Sequence, residues 1–215
     1  MTRPRLLDLF CGAGGAAMGY HCAGFEVVGV DIKPQLRYPF EFIQADAMTF
    51  PLDGFDAIHA SPPCQAYSTA TPRHHDHPDL YAATRERLIA SGLPYVIENV
   101  IGAPYDHGVV LCGTMFGLEA EGEWLRRHRN FETSFMVFQP QHRHRKDKRA
   151  ITITGKCFLT VTKDCARHSR QATFVCCEKL MGIDWMDRKE LPQAIPPAYT
   201  EFIGAQLMTA MKVAS

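Results

Sequence analysis

A doubly wound, mostly parallel α/β sheet is the fold this sequence predicts, and three observations predict it. Short apolar runs alternate with helix-compatible segments through the first half of the chain, the pattern of strands joined by crossover helices. The first run breaks into Gly12, Gly14 and Gly15 before a small-residue helix. Acids or reactive side chains stand where several runs end, and ligands gather at the carboxyl ends of strands in such sheets.

The elements follow in order. RLLDLF (5–10) reads as the first strand, residues 14–23 as a helix, FEVVGVDI (25–32) as the second strand, EFIQAD (41–46) as the third and FDAIHA (55–60) as the fourth. Residues 79–91 repeat Leu80, Thr84, Arg87 and Leu88 at helical spacing, and Gly92 and Pro94 end them. PYVIENV (94–100) is a fifth strand. After Gly117 the texture changes. EWLRRHRNFET (123–133) reads as charged and partly helical, AITIT (150–154) and CFLTVT (157–162) as β-type runs, EKLMGIDWM (178–186) as a short helix, and PPAYTEFIGAQLMTAMKV (196–213) as a proline-started apolar helix.

The 215 residues, 46% of them hydrophobic, suffice for one substantial core. The 23 Lys/Arg and 23 Asp/Glu cancel overall, but from Gln139 to Arg170 nine basic residues meet two acids, a balance of +7 that leaves −7 for the remainder. Such a segment suits a polyanion such as nucleic acid; a solvated loop accounts for the charge equally well. The basic, then apolar, N-terminus is interrupted by Asp8 and followed by five glycines, unlike a secretion signal, and no run reaches membrane-spanning length. The expectation is a soluble intracellular protein, cytoplasmic and without membrane contact, its eight cysteines reduced.

Three stretches carry chemistry. In DLFCGAGG the glycines let backbone approach a ligand, and Asp31, ending the second strand, stands where a carboxylate typically holds ribose hydroxyls. Asp46, ending the third, is placed to accept from an adenine amine. Turn formation or helix capping accounts for either acid alone; together with the glycines they favour a nucleoside-bearing cofactor. No Lys-Ser/Thr follows the glycines, so the loop is not a P-loop. In SPPCQAYS two prolines stop the fourth strand and mount Cys64 on a stiff turn. ENV puts Glu98 and Asn99 at the end of the fifth strand, so thiol and carboxyl share one rim: a thiolate able to add to an electron-poor ring, an acid able to protonate it.

Other residues carry less. Cys157, Cys165, His168 and Cys176 follow zinc-like intervals without the usual Cys-x2-Cys pairs, and buried thiols are the preferred reading, so no metal ligand is assigned. Cys11 and Cys22 read as packing, Trp124 and Trp185 as hydrophobic anchors, and HHDH (74–77) as a polar loop or a phosphate contact.

DLFCGAGG, SPPCQ, ENV and the Arg-x-Arg of RRHRNF, in this order, resemble the DNA (cytosine-5) methyltransferases, and EKLMGIDWM and YTEFIGAQL resemble that family's last two motifs. The resemblance covers residues 5–135 and 170–212. It implies a Rossmann-like catalytic domain (1–138 and 171–215), with 139–170 as a short target-recognition region. It implies S-adenosyl-L-methionine as cofactor, bound by Phe10, Gly12, Gly14, Asp31, Ile32, Asp46 and Pro63. Cys64 is expected to add to carbon 6 of a flipped cytosine, Glu98 to bond ring nitrogen 3, and Arg127 and Arg129 to contact the cytosine oxygen and orient the thiol. Gln65, Asn99, Arg143 and Arg145 are expected on the substrate, which is double-stranded DNA, and a monomer is expected. Two departures stand out: Leu125 where the family has Gln, and Ala205 where it has an Asn near the methionine end of the cofactor. Alternatives are RNA cytosine-5 methylation, or a DNA-binding relative that has lost turnover.

Overall fold

The computed structural model describes residues 2–67, 79–104, 107–144, 149–153 and 174–214. The expected strands form as β1 (Arg5–Leu9), β2 (Glu26–Asp31), β3 (Glu41–Gln44), β4 (Ala57–Ala60) and β5 (Tyr95–Asn99). Two further strands, β6 (Val109–Leu111) and β9 (Arg129–Thr133), complete a seven-stranded sheet of order β3-β2-β1-β4-β5-β9-β6. The first five in that order run parallel, and β9 is antiparallel to both β5 and β6. A small second sheet, β10-β8-β7, is built from β7 (Glu119–Ala120), β8 (Glu123–Leu125) and β10 (Arg149–Ile151).

Helices pack on both faces. α1 (Gly15–Cys22) and α4 (Pro197–Ala214) cover one, and α2 (Tyr81–Ser91) the other. The period-two rule of strands decides which residue faces which layer. Leu6 of β1 enters the cluster with Ala17, Tyr20, Tyr199 and Ile203; its neighbour Leu7 enters the one with Ile58, Ile97, Tyr81 and Leu88. α1 and α4 cross closely because Gly19 and Gly204 carry no Cβ. One on Gly19 would overlap the Pro197 carbonyl and the Thr200 hydroxyl, and one on Gly204 would lie 2.8 Å from Ala23 Cβ. α3 (Phe174–Met181) packs its buried Cys176, Cys177, Leu180 and Met181 with Leu125 and Ile151 of the small sheet.

The structure corrects two sequence expectations. Residues 123–133 are not helical; they form β8 and β9 around the loop Arg126–His128. Glu132, one of the charges of this stretch, is buried in β9. It accepts from Arg85 Nε at 2.6 Å and from the hydroxyls of Tyr81 (2.5 Å) and Tyr95 (3.2 Å), so pairing with β5 leaves no unpaired charge. Cys22 is exposed at the end of α1 rather than buried in the core, whereas Cys11 is buried as expected.

Candidate active site

The site begins where β1 ends. Phe10 takes a positive φ of 58°, uncommon for a residue with a Cβ, and turns the chain into the glycines. Gly12 (φ 48°) has open space where a side chain would stand, whereas a Cβ on Gly14 (φ 84°) would meet Pro39 at 2.6 Å. Asp31 closes the turn from β2. One of its oxygens accepts from the Gly12 N–H at 3.1 Å and the other from the Lys33 N–H at 3.0 Å. Ile32 beside it is 65% exposed. Asp46, exposed past β3, caps its own turn by accepting from the Met48 N–H at 2.8 Å.

β4 and β5 are neighbours, so the rim they share holds both expected reactive groups. Cys64 is half-buried after the diproline, and its carbonyl accepts from the Tyr67 N–H at 3.0 Å, closing a turn. Gln65 is exposed beside it and Pro63 half-buried. Glu98 is buried at the end of β5, with the Arg129 Nε 3.0 Å from its Oε1. That N–H is not aimed along the contact, so Oε1 keeps an unmet hydrogen-bond capacity. Burial pushes the Glu98 carboxyl up, while Arg129, Arg127 and a hydrogen bond from Ser61 pull it back. Burial, then the Glu98 charge, raises the Cys64 thiol, and Arg129 and Arg127 lower it. The thiol and the carboxyl therefore sense each other and the same two guanidinium groups.

Arg127 is fastened rather than free. Its Nη1 donates to Ile153 O at 2.8 Å, and its Nη2 to Pro192 O and Ala194 O, each at 2.7 Å. Burial, then the charge of Arg129, pushes this guanidinium down to about 9. The Tyr199 hydroxyl donates to the Arg127 carbonyl at 2.6 Å. Asn99, expected on the substrate, is buried instead. Its Nδ2 donates to Pro62 O at 3.1 Å, holding the diproline turn ahead of Cys64, and its Oδ1 accepts from the Val100 N–H at 2.8 Å, closing its own strand end. Leu125 is a fully buried core residue of β8. Ala205 is exposed on α4 one residue beyond Gly204, which packs on Ala23 at the far end of α1. Ala194 and Ile195, ahead of α4, stand against Gly15 of the glycine turn. Arg143 is exposed; Arg145, the 74–77 histidines, Cys157, Cys165 and His168 lie outside the described residues.

Sequence reasoning missed what stands behind Glu98. His59, fully buried in β4, has its Nδ1 2.9 Å from the Tyr20 hydroxyl and its Nε2 2.9 Å from the Ser61 hydroxyl. Burial pushes this imidazole down to about 3, so it is neutral and carries one N–H. Ser61 donates to Glu98. Its oxygen then accepts from Nε2–H, and Nδ1 accepts from Tyr20; the network assigns the tautomer. The available signal was His-x-Ser at the end of a buried strand, ahead of the diproline.

Residues 4–100 match the family of C-5 cytosine-specific DNA methylases. That match takes in β1 to β5, a little under half of the chain. No curated protein matches it by sequence. Among solved structures it is similar to the Dnmt2 methyltransferase of S. pombe, at 14% identity and a TM-score of 0.63, covering 97% of this chain and 99% of that one. It is similar also to a putative DNA modification methyltransferase encoded within an E. coli prophage, at 14% identity and 0.60, covering 97% and 99%. The Entamoeba histolytica methyltransferase EhMeth is a third, at 13% identity and 0.63, covering 100% and 99%. At these identities the likeness shows a shared Rossmann-like methyltransferase fold.

The match to the cytosine-5 family implies S-adenosylmethionine as cofactor and a nucleic acid as substrate. The residues present fit the cofactor. The open space over Gly12, the backbone turned by Phe10, the Asp31 carboxylate and the exposed Ile32 meet at one end of the sheet, where a nucleoside needs backbone access, a ribose acceptor and an apolar cover.

Proposed function

We propose that the chain methylates carbon 5 of cytosine in double-stranded DNA, with Cys64 as nucleophile and Glu98 as acid. The observation that carries this reading is the shared rim of β4 and β5, where a half-buried thiol and a buried carboxyl with unmet hydrogen-bond capacity share the charge of Arg129 and Arg127, Arg129 lying against the carboxyl. The Cys64 sulfur adds to carbon 6 of a base turned out of the helix, and Glu98 delivers its proton to ring nitrogen 3, which takes up the displaced electron pair. The two ionisations help each other. A protonated Glu98 no longer repels the thiolate, and Arg129 then stabilises the sulfur's charge. When bound between Phe10, Gly12, Asp31, Ile32 and Asp46, S-adenosylmethionine supplies the electrophilic methyl group that the enriched carbon 5 takes. A solvent base takes the proton at carbon 5, the freed electron pair restores the ring double bond and expels Cys64 as the thiolate, and ring nitrogen 3 returns its proton to Glu98.

Arg127 supports this by charge and by anchoring its loop, and Asn99 by fixing the diproline turn. Residues 139–170, with their +7 balance, are the proposed target reader, contributing mostly phosphate contacts. The choice of DNA rests on the family matched by residues 4–100. The test is covalent trapping with 5-fluorocytosine, in DNA and in RNA, with the cofactor present. A cofactor-dependent adduct with DNA, lost in Cys64→Ala while DNA binding persists, is expected. An adduct with RNA alone moves the substrate, and an adduct that survives Cys64→Ala removes the nucleophile.

A further inference from the structure

Four side chains outside the reaction site converge without any assigned role. Cys112 follows β6 and is fully buried, His128 lies in the Arg126–His128 loop, and His142 and His144 lie in the segment after β9. Their ligand atoms all fall within 4.8 Å of one another. The three imidazole Nε2 atoms are 3.3 Å (His128–His142), 3.0 Å (His128–His144) and 2.9 Å (His142–His144) apart, and Cys112 Sγ is 3.9 Å from His144 Nε2. The Trp124 ring lies 5.2 Å from the His144 ring and flanks the cluster.

Hydrogen bonding alone does not account for this arrangement. In a neutral ring Nε2 is either a donor or an acceptor. Among three Nε2 atoms in mutual contact, at least two must have the same role and face each other as N–H against N–H or lone pair against lone pair. A cation at the centre removes the conflict, because all three lone pairs then point at it. The spacing suits one. A tetrahedral zinc with nitrogen at about 2.0–2.1 Å and sulfur at about 2.3 Å gives ligand–ligand edges of about 3.4 and about 3.6 Å.

We propose that Cys112, His128, His142 and His144 form a closed, tetrahedral zinc site that fastens the start of the basic segment to the arginine loop. Three imidazoles and a thiolate suit zinc, and four protein ligands leave no position for a reacting molecule, so the site is structural. Cys112 binds as the thiolate and its proton passes to solvent. The mechanical consequence is local. His128 stands between Arg127 and Arg129, and its carbonyl accepts from Arg129 Nη1 at 2.9 Å. Holding His128 to His142 and His144 sets the arginine pair against the chain that leads into residues 145–170. The inference does not depend on which nucleic acid is methylated.

The test uses the full chain, produced without a polyhistidine tag, incubated with excess zinc and desalted. Metal analysis is expected to find one equivalent of zinc per chain in the wild type and background in the double variant His142→Ala/His144→Ala. Both of those positions are exposed, so the variant is expected to keep its circular dichroism. Cobalt in place of zinc is expected to give tetrahedral visible bands and a thiolate-to-cobalt charge-transfer band, the latter lost in Cys112→Ser. A chelator is expected to lower the melting temperature of the wild type and leave that of the double variant unchanged. A wild type that retains no zinc after desalting overturns the proposal. So does a double variant that keeps its full equivalent, which would send the metal to the Cys157, Cys165, His168 and Cys176 set.

Discussion

Asp8 tests the electrostatics of the sheet without any substrate. It is fully buried in β1; its Oδ2 accepts from the Tyr38 hydroxyl at 3.4 Å and its Oδ1 has no partner. Burial pushes its carboxyl up to about 8, with the Tyr38 hydrogen bond pulling down and the Asp31 charge pushing further up. Between its unfolded value of 3.8 and about 8, the folded chain holds a proton that the unfolded chain has lost. The unfolded state binds fewer protons there, so stability falls as pH rises, by about 1.4 kcal/mol per unit, and stops falling above about pH 8. The full span is worth ~6 kcal/mol as a ceiling. In Asp8→Asn nothing titrates. The amide keeps an oxygen toward Tyr38 and buries an unpaired donor, the same burden a protonated Asp8 carries. The two proteins are therefore expected to be nearly equal in stability at about pH 4–5, with the variant gaining about 1.4 kcal/mol per unit above that. Urea unfolding from about pH 5 to about pH 8 reads the slope. Parallel curves for the two proteins would refute the argument, because they would mean that Asp8 is ionised within the fold.

Two substitutions probe the frame around the site. Gly19→Ala drives a methyl group into the Pro197 carbonyl, a backbone atom that cannot swing aside, and is expected to cost about 1–3 kcal/mol, read as a lower melting temperature; an unchanged melting temperature would mean that α1 and α4 are not clamped where they cross. Asn99→Ala releases the Pro62 carbonyl, and is expected to lower kcat about tenfold or more while KM for both substrates holds, because a misplaced nucleophile loses chemistry rather than binding. A rise in KM for the nucleic acid with kcat intact would return Asn99 to the substrate.

The parallel half of the fold was legible because its strands are buried on both sides. β1 and β4 read as apolar runs, each broken inside by one polar residue, Asp8 or His59, and each run ends in residues that stop a strand: glycines after Leu9, prolines after Ala60. β9 was not legible, since four of its five residues, Arg129, Asn130, Glu132 and Thr133, are polar or charged. It becomes a strand only because β5 and β6 flank it and because Arg85, Tyr81 and Tyr95, distant in sequence, satisfy Glu132. A charge run looks solvated until its partners are known. The structural cost of such a strand is set by those partners, not by its composition.

The same distinction divides the site. Cys64 and Glu98 were legible because they end neighbouring strands, and strand order alone brings them together. The roles of Asn99 and Arg127 were not, because each is decided by backbone carbonyls that no residue type announces: Pro62 for the amide, and Ile153, Pro192 and Ala194 for the guanidinium. Arg127 thereby ties together β8's loop, the chain after β10 and the approach to α4. Its charge reaches Glu98 and Cys64 from a fixed point. Arg129, half-buried and paired to Glu98 at 3.0 Å, is the arginine placed to respond when Glu98 gains or loses a proton. Behind Glu98, the one-way donation from Tyr20 through His59 to Ser61 presents a hydroxyl hydrogen to the carboxyl. Because His59 stays neutral at any working pH, that hydrogen cannot be lost by titration of the ring. The carboxyl is therefore held from one side by a fixed donor and from the other by the charge of Arg129 beside Oε1, an atom whose hydrogen-bond capacity is unmet, which is what the proposed proton delivery to a base requires.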